Sequence, residues 1–138
     1  MLESFDTSRA VTEPLNVTVS EASPETILCV VAGEVDLLTG PILRDKLTVA
    51  IGGTPSHLVI DLSGVQFMAS IGLSILVEIL AAQEAASRHL AVVVANNEAV
   101  THTLQTTGLD QVLDLHAALA AAMMACAGPT NIEVLHDA

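Results

Sequence analysis

One serine at the start of a predicted helix is the residue of this chain best placed for chemistry. Ser70 follows an apolar run, residues 58–62, and a glycine-containing loop, and a helical apolar pattern begins directly after it. Asp61 lies near the end of the same apolar run. In open α/β sheets, ligands and reacting groups gather beyond the carboxyl ends of the strands. The spacing therefore predicts that Ser70 and Asp61 lie at the edge of a sheet where a site is expected.

The hydroxyl of Ser70 has three possible uses at such a position. It could cap the free amide groups of the helix, which is a purely structural role. It could accept a phosphate, because the helix dipole and the free N–H groups tolerate negative charge at this end. It could also be a nucleophile, as in the strand–turn–helix elbow of hydrolases. A phosphate would set a hydrated anion against a docked partner, so the second use predicts a reversible binding switch.

The hydrolase interpretation fails on its motif. G-x-S-x-G requires a glycine two residues before the serine, where this chain has Met68, although Gly72 fits on the other side. The candidate bases His89, His102 and His116 are scattered singly along the chain. We therefore predict that the protein is not an enzyme.

Other reactive groups lack the spacing that catalysis or cofactor binding needs. The glycines form neither G-x-G-x-x-G nor a Walker loop, and the acidic pair Glu34 and Asp36 can equally be solvated or cap the next helix. Cys29 and Cys126 lie far apart without a C-x-x-C pattern, each within an apolar run. Free cysteines in such runs behave as small buried hydrophobes. No cofactor and no metal site is predicted.

The elements that must position Ser70 alternate between strands and helices. Strands are predicted at residues 15–20, 26–32, 57–62, 90–95 and 112–115, and helices at 39–51, 70–87, 98–107 and 117–127. Residues 63–69 are predicted to be a loop, and Gly33 to end the second strand. Such alternation predicts an α/β domain with a small, mixed, largely parallel sheet and about four helices packed against it.

Three details of the predicted helices can be checked. The hydroxyl of Thr39 is expected to cap the first helix and Asn96-Asn97 the third. In the helix from Ser70, the core-facing residues are expected to be Leu73, Leu76, Val77, Leu80, Ala81 and Ala85.

The length and composition of the chain limit the functions that it can have. The 138 residues fit one domain, predicted at 13–127, between a loose lead-in at 1–12 and a tail at 128–138. Four basic against sixteen acidic residues, with no Trp or Tyr, argue against binding nucleic acid. The net charge of −12 gives colloidal stability and would also attract a partner with a basic patch. Neither a signal peptide nor a run of about 20 apolar residues is present, so we expect a cytoplasmic protein that does not enter the membrane.

Three segments together resemble the STAS domain family, which includes the anti-sigma-factor antagonists. G-E-V-D at residues 33–36, with the helix through Leu43, Arg44 and Leu47, is similar to one family segment. Residues 59–73, VIDLSGVQFMASIGL, are similar to the family pattern of an apolar strand followed by D-L-S-x-V-x-F-[ML]-D-S-S-G-L. A G-L-D-x-V-L-like run at residues 108–113 completes the resemblance.

The resemblance implies a function and a site. Antagonists of this type bind an anti-sigma factor that is a serine kinase, free the sigma factor, and are inactivated when that kinase phosphorylates the first serine of D-S-S-G, here Ser70. The implied partner surface consists of Asp36, Asp61, Ser63, Met68, Ala69, Ile71, Gly72 and Leu73, and Met68 is expected to be exposed. Ala69 and Ile71 replace the aspartate and the second serine of the motif. The alternative function is therefore a STAS module that binds a partner or a ligand without phosphorylation. The sequence does not indicate the oligomeric state.

Overall fold

The computed structural model describes residues 14–52 and 56–127, so the predicted lead-in and tail lie outside the described residues. The strands are β1 Leu15–Ser23, β2 Thr26–Val35, β3 His57–Met68, β4 Leu90–Val93 and β5 Asp114–His116. The helices are α1 Gly40–Gly52, α2 Ser70–Ala85, α3 Glu98–Thr107 and α4 at residues 119–127, with a 3-10 turn at Leu109–Gln111. No helix in the described ranges is long and apolar enough to cross a membrane.

The five strands form one sheet in the order β1-β2-β3-β4-β5. β1 pairs antiparallel with β2, and every later pair is parallel. Each parallel connection carries a helix, as a crossover requires. The predicted mixed, largely parallel α/β fold is confirmed.

Opposite faces of the central strands build two cores. Ile60 of β3 packs in a large cluster with side chains of α1, α2 and α3, whereas its neighbour Val59 packs in a small cluster with Ala122 and Cys126 of α4. Successive strand residues point to opposite faces, so an unbroken apolar run means a strand covered on both sides. The sheet is thus a middle layer with three helices on one face and one on the other.

Two strands run further than the sequence patterns predicted. β2 continues past Gly33 to Val35, and β3 continues through the predicted loop to Met68. The register between β2 and β3 shifts after Val30 and again after Gly33, so the strands stay paired without strict alternation of side chains. Gly33 has φ +107, and the carbonyl oxygen of Pro14 occupies the space that a Cβ would need. Gly33 therefore lets β1 approach closely instead of ending β2.

The expected core-facing residues of α2 were partly right: Leu76 is buried and Leu73 and Leu80 are partly buried against the core, whereas Val77, Ala81 and Ala85 are exposed. The helix buries Gly72, Ile75, Leu76, Ile79 and Gln83, and Val77 is 43% exposed. Leu, Ile and Val cover most of the circumference of this helix and leave only a narrow face to Ser70, Ser74 and Glu78, so the pattern does not single out which part of the apolar surface is buried. The polar Gln83 is buried because its Nε2 donates to the carbonyl oxygens of Ser56 and His89, at 2.9 and 3.1 Å.

Of the two predicted helix caps, one is confirmed and the other was wrong. Asn97 caps α3 as predicted, since its Oδ1 accepts from the amide of Val100. The hydroxyl of Thr39 lies at the start of α1 but donates to the carbonyl oxygen of Glu34, at 2.8 Å, and accepts from the amide of Asp36, at 2.9 Å. It fixes the preceding turn, so the expected side-chain cap of α1 was wrong.

Candidate functional site

Ser70 is the first residue of α2 and lies just beyond the carboxyl end of β3. Its side chain is exposed, and its hydroxyl makes no hydrogen bond to any other described residue. The N-cap position belongs to Ala69, which has an extended backbone and no side chain that could accept a hydrogen bond. The capping role considered for Ser70 is therefore not realised, and its hydroxyl remains available to another molecule.

Main-chain contacts fix the turn that carries Ser70. The amide of Ala69 donates to the carbonyl oxygen of Val35, the last residue of β2, at 2.8 Å. The amide of Gly72 donates back to the carbonyl oxygen of Ala69 at 2.9 Å. Ser70 is thus held where β2, β3 and α2 meet.

Met68 and Gly72 lie beneath this turn. Met68 is only 6% exposed, so the expectation of an exposed methionine for a partner groove was wrong. A Cβ on Gly72 would lie 2.6 Å from Cγ of Met68 and 3.0 Å from Cγ1 of Val35. Met68 acts as a packed support because the first turn of α2 rests directly on it. Ala69 is partly exposed between this support and Ser70.

Ile71 and Leu73 connect the turn to the rest of the molecule. Both are partly buried against the large core cluster. Ile71 covers Gly40 at the start of α1, where a Cβ would lie 2.8 Å from Cδ1 of Ile71. The isoleucine that replaces the second serine of the family motif therefore serves the packing of α1 against α2.

Asp36 organises the neighbouring turn between β2 and α1. Its Oδ1 accepts from the amides of Leu38 and Thr39, at 2.9 and 3.0 Å. Hydrogen bonds from the amide and hydroxyl of Thr39 and from the amide of Leu38 hold the pKa of Asp36 below its usual value, although partial desolvation opposes this. The carboxylate is occupied by its own turn, which gives it a positioning role in this site.

Three exposed apolar side chains lie on the segments that adjoin the turn of Ser70, and the helix and strand patterns of the sequence did not indicate them. Leu37, Leu38 and Phe67 are 79%, 87% and 51% exposed, and we call them the apolar patch. Phe67 precedes the turn on β3, and the two leucines follow Val35, the β2 partner of Met68. The sequence contains one indication of this patch: two leucines directly follow Asp36, and neither belongs to the apolar pattern of a predicted helix or strand.

Asp61 and Ser63 do not join the group around Ser70. The β2 partner of Asp61 is Val30 and that of Met68 is Val35, which separates the two by about 16 Å of strand. Oδ1 of Asp61 accepts from the amide of Ser63 at 2.9 Å, in a local turn. The structure thus divides the predicted site residues into a cluster at the start of α2 and a separate pair on β3.

Asn97 connects the segments of this second region through hydrogen bonds. The sequence pattern predicted only its role as a helix cap. Its Nδ2 donates to the carbonyl oxygens of Leu62 and Val65, at 3.0 and 2.6 Å, and to that of Ser63 at 3.3 Å. Its neighbourhood is a shallow cleft lined by residues 63–66 and 95–99. The amide group therefore holds the irregular part of β3 against the start of α3.

The histidines considered as bases do not reach Ser70. His89, which directly precedes β4, and His116, the last residue of β5, flank Asp114 and contact its carboxylate instead. Nε2 of His89 bonds to the carboxylate at 2.7 Å, whereas Nε2 of His116 lies 2.9 Å away without hydrogen-bond geometry. Burial opposes ionisation of Asp114, yet the two imidazoles lower its pKa. No serine–histidine pair forms among residues 14–52 and 56–127.

The thiols and possible metal ligands form no reactive centre in the described residues. Burial raises the pKa of Cys29 to about 11, and burial together with the charge of Asp114 does the same for Cys126. The two cysteines belong to different core clusters. Within the described ranges, no group of three or more His, Cys, Asp or Glu is arranged to hold a metal ion.

Comparison with known proteins agrees with this architecture. Residues 18–122 match the family model described as STAS domain. The chain is 32% identical over 108 residues to the protein named anti-sigma-F factor antagonist RsfB of Mycobacterium tuberculosis, covering 78% of this chain and 85% of that protein. The crystal structure of an anti-sigma factor antagonist from Mycobacterium paratuberculosis superposes with a TM-score of 0.73 at 31% identity, over 81% of this chain and 93% of that one. A putative antagonist from Thermotoga maritima shares the fold, with a TM-score of 0.71 at 19% identity, over 80% and 93% of the two chains.

Proposed function

The chain belongs to the STAS domain family of anti-sigma-factor antagonists, and on that premise we propose that it binds an anti-sigma factor with serine-kinase activity and so releases a sigma factor. We further propose that phosphorylation of Ser70 ends this binding. The protein would then regulate transcription in the cytoplasm as a binding partner and would carry out no catalysis itself. The name of the Mycobacterium tuberculosis relative makes anti-sigma-F factors the first partners to test.

One observation supports the proposal above the others. The hydroxyl of Ser70 is exposed and makes no hydrogen bond to a described residue, and the residues of the apolar patch lie on the chain segments that adjoin its turn. Exposed apolar side chains grouped in this way are typical of a protein interface. A modification at Ser70 would therefore fall within the contact surface of a partner docked on the patch.

A phosphate at this position would act on the partner more than on the fold. Phosphoserine carries a charge of about −1.5 to −2 at neutral pH. The first turn of a helix tolerates such a charge because its amides and its dipole favour anions, and Ala69 supplies no competing side chain. A partner covering Leu37, Leu38 and Phe67 would have to desolvate the new anion. Its affinity should therefore fall while the antagonist remains folded.

Phosphorylation by candidate kinases tests the switch. The full chain would be incubated with each candidate anti-sigma factor and ATP, and the modified peptide identified by mass spectrometry. We expect label on Ser70 in the wild type and none in Ser70→Ala. The matched control is Ser74→Ala, because Ser74 is exposed one turn further along α2 and should leave labelling unchanged. Label on another residue, or none with any kinase, would contradict the switch.

Binding measurements test the consequence of phosphorylation. Ser70→Asp places a negative charge at the same point, and we expect it to raise the Kd for the anti-sigma factor at least roughly tenfold, or about 1.4 kcal/mol. Ser70→Ala should bind like the wild type. Circular dichroism of both variants would verify that α2 is intact.

A second candidate function follows from Ala69 and Ile71. Ile71 is committed to packing over Gly40, and Ala69 contributes only main-chain contacts, so neither offers a polar group to a kinase. The chain would then be a STAS module that binds its partner or a ligand constitutively. Equal affinity of the Ser70→Ala and Ser70→Asp variants for the same partner would favour this candidate over the switch.

A further inference from the structure

β1 forms a long lateral edge of the sheet. It has nine residues, and its partner is β2 on one side, with no described strand on the other. It contains no proline, and Glu21 is its one charged residue. Edge strands usually carry charges, prolines or covers that prevent pairing with another chain. The opposite edge, β5, is only three residues long and contains Asp114 and His116. β1 is therefore the edge of the described sheet that is open to strand addition.

Helix α1 presents an apolar stripe beside this edge. Ile42 and Val49 are 49% and 78% exposed, and with Val19 of β1, which is 41% exposed, they line a groove of about 620 Å³. Asp45 and Lys46 lie between the two apolar positions on the helix and line the same groove. A strand added to β1 would direct alternate side chains toward this stripe, as Leu15 and Val17 of β1 are directed toward the core.

We propose that the free edge of β1 and the exposed stripe of α1 together form the docking surface for a second copy of this chain. Two copies of β1 related by a twofold axis pair antiparallel and extend the sheet across the dimer. The axis stands perpendicular to the sheet, so both copies of α1 lie on the same face and their stripes meet. Val19, Ile42 and Val49 of each copy become buried in the contact.

The charges in the groove fit a second copy of the chain. Asp45 and Lys46 are adjacent on α1, and neither forms an ion pair with another described residue. A twofold axis reverses the order of the two charges on the facing helix, so each aspartate can approach a lysine of the other copy. A partner with a purely basic or purely acidic surface would leave one of the two unmatched. The docking surface shares no residue with the Ser70 site. A negative result for dimerisation would therefore leave the proposed phosphorylation of Ser70 untouched, and a negative result for phosphorylation would leave the dimer untouched.

Sedimentation velocity of the full chain tests the proposal. Over roughly a hundredfold range of concentration, we expect the mass to rise from 14.3 kDa toward twice that value. Val49→Asp places an unmatched charge in the interface and should raise the dimer Kd at least roughly tenfold. Val49 is exposed in the monomer, so the variant should fold normally. The matched control is Val112→Asp, which changes an exposed valine outside the groove and should leave the Kd unchanged.

A charge exchange tests the assigned register. Asp45→Lys alone should weaken the dimer, and the double variant Asp45→Lys with Lys46→Asp should restore it. A wild type that remains monomeric at every concentration would overturn the proposal. So would a truncated chain without residues 1–13 that dimerises when the full chain does not, because those residues would then occupy the groove. Equal loss of dimer in the Val112→Asp control would likewise overturn it.

Discussion

At the scale of single residues, the missing side chain of Gly72 determines how closely α2 approaches β2 and β3. A Cβ at this position would enter the space of Cγ of Met68, 2.6 Å away, and of Cγ1 of Val35, 3.0 Å away. Met68 and Val35 are both buried, so neither can move away into solvent. The position of the turn that carries Ser70 therefore depends on glycine here.

Gly72→Ala is expected to destabilise the protein and displace Ser70. Overpacking of a buried position costs about 1–3 kcal/mol, and the bulky neighbours place this change within that range. Urea denaturation measures the free energy of unfolding, and the amide chemical shifts of Ser70 and Ile71 report the displacement. The control is Gly52→Ala, where a Cβ meets nothing within 4 Å, so stability should be unchanged or slightly higher. A neutral Gly72→Ala would show that α2 can rise from the sheet at no cost.

Some features of single residues follow from the sequence pattern, and others follow only from packing. Ser70 was placed correctly at a helix start because strand, loop and apolar helix follow one another in order. Met68 was expected to be exposed, and only the three-dimensional packing shows that Gly72 leaves the space into which it fits. Leu37 and Leu38 were missed because exposure of leucine is a property of the folded surface.

At the scale of elements, Asn97 joins the irregular end of β3 to the start of α3. Its Oδ1 caps the helix, and its Nδ2 serves three carbonyl groups where the strand ladder is uneven. Those carbonyl groups would otherwise lack a protein donor from α3. One amide side chain thus fixes the relative position of two elements.

Two substitutions of Asn97 separate these roles. Asn97→Ser keeps an acceptor for the cap but replaces the two Nδ2 donors by one shorter hydroxyl, and we expect it to cost about 1–2 kcal/mol of unfolding free energy. Asn97→Ala removes the cap as well and should cost about 1 kcal/mol more. Chemical denaturation measures both values. Asn96→Ala serves as the control, since Asn96 is exposed and its side chain bonds to no described residue. Equal losses for the Ser and Ala variants would refute the capping contribution.

Element types were predictable where periodicity was clear, and element ends and faces were not. α1 buries Leu43, Leu47 and Ala50, whose spacing of i, i+4 and i+7 indicates a single apolar stripe in the sequence itself. α2 is apolar around most of its circumference, so its buried face depends on packing against the sheet and α1, with Arg44 and Glu78 adding two exposed bonds of 3.0 Å. β3 was predicted too short because its register shifts hide the alternation of a strand. These features depend on long-range pairing, which local patterns do not encode.

At the scale of the whole molecule, charge is the dominant property. Sixteen acidic residues face four basic ones, and the only Lys or Arg ion pair among the described residues is Arg44 with Glu78. Both of those side chains are well exposed, so the pair offsets little of the general repulsion. The folded chain concentrates negative charge that the unfolded chain spreads out.

Added NaCl should therefore stabilise the protein at pH 7. The Debye length falls from about 30 Å at 0.01 M to about 8 Å at 0.15 M, which screens repulsion between distant carboxylates more than it weakens close pairs. We expect a gain of about 1 kcal/mol, equivalent to about 3 °C in Tm for a domain of this size, measured by differential scanning calorimetry. Near the isoelectric point of about 4.4 the net charge disappears, so the same salt series should leave the Tm nearly constant. A Tm that fell with NaCl at pH 7 would instead mean that close pairs, such as Arg44 with Glu78, outweigh the net charge of −12.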